Sequence, residues 1–166
     1  MQKHSAYTKL NSAYTFIEIL VALTIISLIF GVGYVSFRDF SRRQALAGAA
    51  RGIVGDLRLA QEEAIAGQKP ADIFCNPPAI LNGYNFRVVN AQNYVVEANC
   101  SGGNVQVKSV TIASDISMSI PSPNPITFKI LAQGTNINAP SATLTLTQKG
   151  TAATRPISIS QAGEIK

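Results

Sequence analysis

The sequence predicts an α+β protein in which one long N-terminal α-helix packs on an antiparallel β-sheet domain. Three observations predict it. An apolar run near the N-terminus passes, with no helix breaker, into a stretch whose apolar residues recur every three or four positions. After Pro70 the composition shifts to Asn, Ser, Thr, Val and Ile, punctuated by Pro and Gly. Segments there, TLTLT and PISIS among them, alternate apolar and polar residues, as a sheet with one buried face requires. The chain therefore divides into a polar segment 1–13, an apolar helix 14–37, its amphipathic continuation 38–67 and a β-rich domain 68–166. With 166 residues it is long enough to bury a core.

Residues 1–13 (MQKHSAYTKLNSA) carry Lys3, His4 and Lys9. From Tyr14 the character changes. Phe16 to Phe37 reads FIEILVALTIISLIFGVGYVSF, with Glu18 as its one charge. Crossing a bilayer takes about 20 such residues as a helix. A carboxylate inside an apolar span costs up to about 2.5–3.5 kcal/mol at the centre and less near an interface, so Glu18 is a functional candidate. Its natural partner is a cation at similar depth. Cutting the chain before Tyr14 would create one, a free α-amino group four residues upstream. Glu18 could meet that amine across one helical turn, or neutralise the terminus of a staggered neighbour in a dry filament core.

Residues 41–66 continue as SRRQALAGAARGIVGDLRLAQEEAIA. Leu46, Ala49, Ile53, Leu57, Ala60 and Ala64 form the apolar stripe, widened by Ala50, Val54 and Ile65. Arg51, Asp56, Arg58, Glu62 and Glu63 are expected largely on the opposite side. Gly67, Lys69 and Pro70 supply the stop. Residues 15–66 together would make one helix of about 80 Å. Gly31, Gly33, Gly48, Gly52 and Gly55 weaken helix propensity and permit bending or close helix approach.

In the C-terminal part, Asn76-Pro77-Pro78 reads as a loop. Tyr84–Val89 and Tyr94–Ala98 read as a hairpin. Val105–Ile112, Ile126–Leu131, Thr143–Thr147 and Pro156–Ser160 read as further strands, and Gly163–Lys166 as a short last one. Cys75 and Cys100 are the two cysteines. If this domain is exported they are expected to form a disulfide worth about 2–4 kcal/mol; the alternative is two reduced, buried thiols.

No catalytic constellation is present, so the chain is expected not to be an enzyme and to need no cofactor or metal. The one histidine, His4, lies in the polar N-terminal segment, and no cysteine has CxxC or His-partnered spacing. Glu62–Glu63 point apart on a helix. Asp72, Glu97 and Asp115 are isolated and suggest no calcium loop. The formal charge is +5, or about +3 without Lys3 and Lys9; no long basic run accompanies it.

The segment SAYTFIEILVALTIISLIF resembles the prepilin N-terminal motif: Ala13, Tyr14, Thr15, Phe16, Ile17, Glu18, Ile19, Leu20 and Val21 match a small residue, an aromatic, T-x-I-E and an apolar helix. The resemblance implies a type IV pilin-like fold, a leader peptide 1–13, cleavage between Ala13 and Tyr14 by a prepilin peptidase, N-methylation of Tyr14, and Glu18 as the acid that registers subunits. Ala13 stands where Gly is usual, and Tyr14 where Phe is usual. The helix end GDLRLAQEEAIA, ITFKILAQG at residues 126–134, TLTLT and RPISISQAGEIK resemble the GspH/FimT-type branch. That implies a minor type IV pilin or a minor type II secretion pseudopilin. It would be a single-pass inner-membrane protein with its C-terminal domain outside the cytoplasm, helping to start an envelope filament. Its partners would be other pilins or pseudopilins, the prepilin peptidase/methyltransferase and the inner-membrane assembly platform.

Two other readings compete. An ordinary secretory signal cut near Gly31-Val32-Gly33, or a plain anchor on an unrelated β-domain, would explain the apolar run but not Glu18. Some members of the resembled branch bind DNA through an arginine-bearing tail after a glycine. Here that tail is Gly163-Glu164-Ile165-Lys166. Lys149, Arg155 and Lys166 would be the cations of a small patch, opposed by Glu164, and nucleic acid is not the expected partner.

Overall fold

The computed structural model describes residues 15–166. The chain separates into two compact units, one ending at Asp39 and one spanning Phe40–Lys166. Helix α1, Phe16–Ala66, is shared between them. Its first part is apolar on every side. Its second part keeps one buried stripe: Leu46, Ile53, Leu57, Ala60 and Ala64 are all buried in the core of the second unit. The helix ends in a Schellman motif. The Gln68 amide donates to the Glu63 carbonyl (3.2 Å), the Gly67 amide donates to the Ala64 carbonyl (3.2 Å), and Gly67 sits at φ 63°.

The β domain is two antiparallel sheets, not one. The larger contains β1 (Leu81–Val88), β2 (Asn93–Cys100), β3 (Gly103–Thr111) and β5 (Ile126–Lys129), in the order β3-β2-β1-β5. The smaller contains β4 (Ile116–Met118), β6 (Ser141–Gln148) and β7 (Thr154–Ser160), in the order β4-β6-β7. Tyr84, Phe86, Val88, Tyr94, Val96 and Ala98 from the larger sheet share one core with Ala142, Leu144, Leu146, Ile157 and Ile159 from the smaller. Phe86 and Tyr94 stack with ring centroids 4.9 Å apart.

The expected strand Ile126–Leu131 stops at Lys129, where the chain turns into a short 3-10 segment, Ile130–Ala132. Leu131 and Ala132 take positive φ there, which ends the ladder. Gly83 allows β1 and β5 to approach closely: a Cβ at that position would lie 2.1 Å from the Phe128 carbonyl oxygen.

Most sheet edges are covered by nearby chain. Segment 134–136 lies along β5, with Phe128 bridging Thr135 and the Asn136 amide donating to Thr127. The C-terminal residues cover β7: Ser158 and Lys166 exchange backbone hydrogen bonds at 2.9 Å each. Among the described residues, β3 is the long strand with a neighbour on one side only. Its register slips opposite Val96 and Glu97, leaving Val107 as a bulge between Gln106 and Lys108.

Gly48, Gly52 and Gly55 lie on the exposed face of the domain's helix, and a Cβ at each would meet nothing within 4 Å. Gly52→Ala is therefore expected to stabilise the domain by about 0.5–1 kcal/mol, by restricting the unfolded backbone. A higher urea midpoint with an unchanged slope would confirm it.

Candidate functional site: the helix start and the helix–sheet seam

Thr15 caps α1. Its hydroxyl accepts the Glu18 amide at 3.4 Å, and its carbonyl accepts the amides of Glu18 (3.1 Å) and Ile19 (3.2 Å). Glu18 thus occupies the third helical position of a Thr-x-x-Glu sequence, the pattern of a capping box. That signal was readable in TFIE and adds a local role for Glu18 beside the one its depth suggests. A carboxylate in the first turn also suits the positive end of the helix dipole.

The residues that follow are exposed apolar side chains: Ile19, Leu20, Val21, Leu23, Ile25, Ile26, Leu28, Ile29 and Phe30. The helix is long and apolar enough to cross a membrane, with a mean hydropathy of 2.4 over its most apolar window, none of it buried against the protein. Two of its hydroxyls are satisfied internally. Thr24 donates to the Val21 carbonyl and Ser27 to the Leu23 carbonyl, each at 2.8 Å, so neither presents an unmet donor to hydrocarbon. Ala13 and Tyr14 lie outside the described residues.

In the domain, Cys75 and Cys100 are joined as a disulfide with Cα atoms 5.3 Å apart, tying the loop after α1 to the end of β2. The seam between helix and sheet holds a polar cluster that the sequence reading missed. Asp56 was expected on the outer face and is instead buried. It accepts hydrogen bonds from the Tyr94 hydroxyl (2.8 Å) and the Lys108 ammonium (2.6 Å). Position 56 is three residues after Ile53 and four before Ala60, so it belongs to the stripe by spacing. Its charge argued the other way, and the partners that neutralise it come from β2 and β3. Arg87 and Glu97 form a second ion pair across β1 and β2, which raises the Arg87 pKa chiefly through that hydrogen bond.

Tyr84 and Tyr94 anchor the helix from the sheet. The Tyr84 hydroxyl donates to the Gln68 carbonyl (2.7 Å). Burial raises the pKa of both phenols; Glu63 adds to it at Tyr84, and the Asp56 hydrogen bond adds to it at Tyr94. A fragment starting at Ser41 contains these two tyrosines and no tryptophan. The folded phenols hold their protons more tightly than the unfolded ones, whose ordinary value is 10.0. Their contribution to stability is thus complete below pH 10 and is lost as the pH rises above it. Tyrosinate absorbance of the folded fragment is expected to stay flat through pH 10 and then rise together with unfolding. A normal titration at pH 10 in the folded state would contradict the buried placement.

The three basic residues of the suggested patch fall at two places on the smaller sheet. Lys149 and Arg155 flank the β6–β7 turn. Lys166 lies beside Ser158, further along β7, and pairs with Glu164 at 3.1 Å. Asp72 accepts its own loop's Phe74 amide, and Asp115 accepts the Gln148 side-chain amide (2.7 Å). Among the described residues no group of three or more His, Cys, Asp or Glu side chains could hold a metal ion.

Neither the curated proteins nor the solved structures yield a match to the chain. A family model does: type II transport protein GspH, over residues 49–163. The matched stretch runs from the buried half of α1 through all seven strands. It begins well after the Thr15–Glu18 helix start, so the family match and the N-terminal motif rest on different residues. On that match the chain belongs to the GspH family of type II transport proteins, which are pseudopilins.

Proposed function

We propose that the protein is a minor pilin or pseudopilin that helps to start assembly of an envelope filament. In this reading a prepilin peptidase removes residues 1–13 and Tyr14 becomes the methylated N-terminus. The apolar part of α1 holds the subunit in the inner membrane until assembly, with the domain outside the cytoplasm. Glu18 then neutralises the terminal amine of a neighbouring subunit inside the filament.

One observation carries the reading: a carboxylate in the capped first turn of an exposed apolar helix, on the same chain as a GspH domain. An acid in an apolar span needs a compensating cation, and a terminus created one helical turn upstream would be at the right depth. The disulfide fits a domain in an oxidising compartment. Mass spectrometry of the mature N-terminus tests the proposal. A methylated Tyr14 is expected; a chain that retains Met1, or starts beyond the apolar run, would overturn it.

A further inference from the structure

The two surfaces that line the domain's core change character at the same end. Along α1 the buried stripe reads back from Ile53 through Leu46 and continues, one turn earlier, as Arg42 and Arg43. Along β7 the inward positions are the buried Ile159 and Ile157, and the next is the exposed Arg155, paired in register with Leu146. The β6–β7 turn closes over this end. A Cβ on Gly150 would lie 2.7 Å from the Arg42 guanidinium carbon, and the neighbouring Lys149 donates to the Ser114 carbonyl while staying exposed. Arg42 therefore sits at the β6–β7 turn beside Gly150 and Lys149, with Arg43 next to it on the helix and Arg155 at the start of β7. Asp115, which accepts from Gln148, and Asp39, just before in sequence, leave the cluster net positive.

Arg42 and Arg43 follow Phe37, the last residue of the apolar run, by five and six positions on one helix. Cations that close to the end of a membrane span lie within reach of headgroups. Nucleic acid would ask for cations tracking a backbone, whereas Lys166, the nearest extension along β7, is tied to Glu164.

We propose that this end of the domain is a docking surface for anionic phospholipid headgroups. Arg43, Lys149 and Arg155, beside Arg42, hold the domain down on the leaflet it faces while the subunit waits in the membrane. The proposal rests on the membrane-inserted reading above.

The test uses the full chain in vesicles of phosphatidylcholine, with or without phosphatidylglycerol. Ala152→Cys places a single reactive thiol at the turn, since the native cysteines are joined. A donor dye there reports energy transfer to acceptor-labelled lipid headgroups. Transfer is expected to rise when phosphatidylglycerol is present and to fall back at high salt. Arg43→Gln, Lys149→Gln and Arg155→Gln are each expected to lower the docked-to-free ratio about fivefold. The salt series needs none of these variants, so a misfolded variant does not blunt the test. Equal transfer with and without phosphatidylglycerol at low salt, in protein that floats with the vesicles and resists alkaline carbonate, overturns the docking surface and leaves the span intact. Protein that fails to float overturns both. Retention of short duplex DNA with no response to phosphatidylglycerol replaces lipid by nucleic acid.

Discussion

Glu18→Gln is expected to leave membrane insertion intact and to cut incorporation into sheared filaments by about a hundredfold or more. The magnitude follows from the proposed role. Removing one partner of a buried ion pair leaves the other charge uncompensated, at about 3–5 kcal/mol. Gln is the informative replacement because it serves the third position of a capping box as well as Glu does. The Thr15 cap and the helix start should survive while the charge is lost. Glu18→Ala also keeps the backbone amide that the Thr15 hydroxyl accepts, so a loss common to both variants reports the missing charge. Immunoblots of sheared and membrane fractions decide the matter. Wild-type incorporation of Glu18→Gln would remove the registering role.

The second large effect is at the seam. Leu57 is fully buried in the core, between Ile53 and Ala60 on the same stripe. Leu57→Ala should lose about 2–5 kcal/mol, the transfer term plus the cavity it leaves. Small domains are stable by only about 5–15 kcal/mol, so the variant would sit near the edge of folding. The adjacent Arg58 is exposed, and Arg58→Ala should stay within about 0.5 kcal/mol. Urea unfolding of fragments starting at Ser41 compares them directly. Equal losses at the two positions would mean that the helix does not pack through this stripe.

Periodicity made the helix legible. The stripe from Leu46 to Ala64 needs nothing beyond its own spacing to be recognised, and Gly67 marks the end by its conformational freedom. Strong alternation likewise exposed β6 and β7. The partition into two sheets was not legible. It depends on β4, three residues long and too short for a pattern, pairing with β6 rather than continuing from β3. Asp56 was misplaced because its burial is decided by Tyr94 and Lys108, residues 38 and 52 positions away in sequence. Of the candidate site, the apolar span and its lone acid are local features and were readable. The basic end of the domain was not, because Arg42 meets Gly150 of the β6–β7 turn only through the packing of helix on hairpin.

The irregular outer strand of the larger sheet has a consequence for how the protein behaves when crowded. A flat, unpaired border invites another chain to add on, the usual start of unwanted clumping. On β3 the extra residue at Val107 breaks the even row of amides, and Lys108 is drawn inward to Asp56. A newcomer would have to lie against a kinked template and disturb a buried charge. In the proposed filament, domains packed side by side should therefore stay distinct, leaving the helices to choose the neighbours.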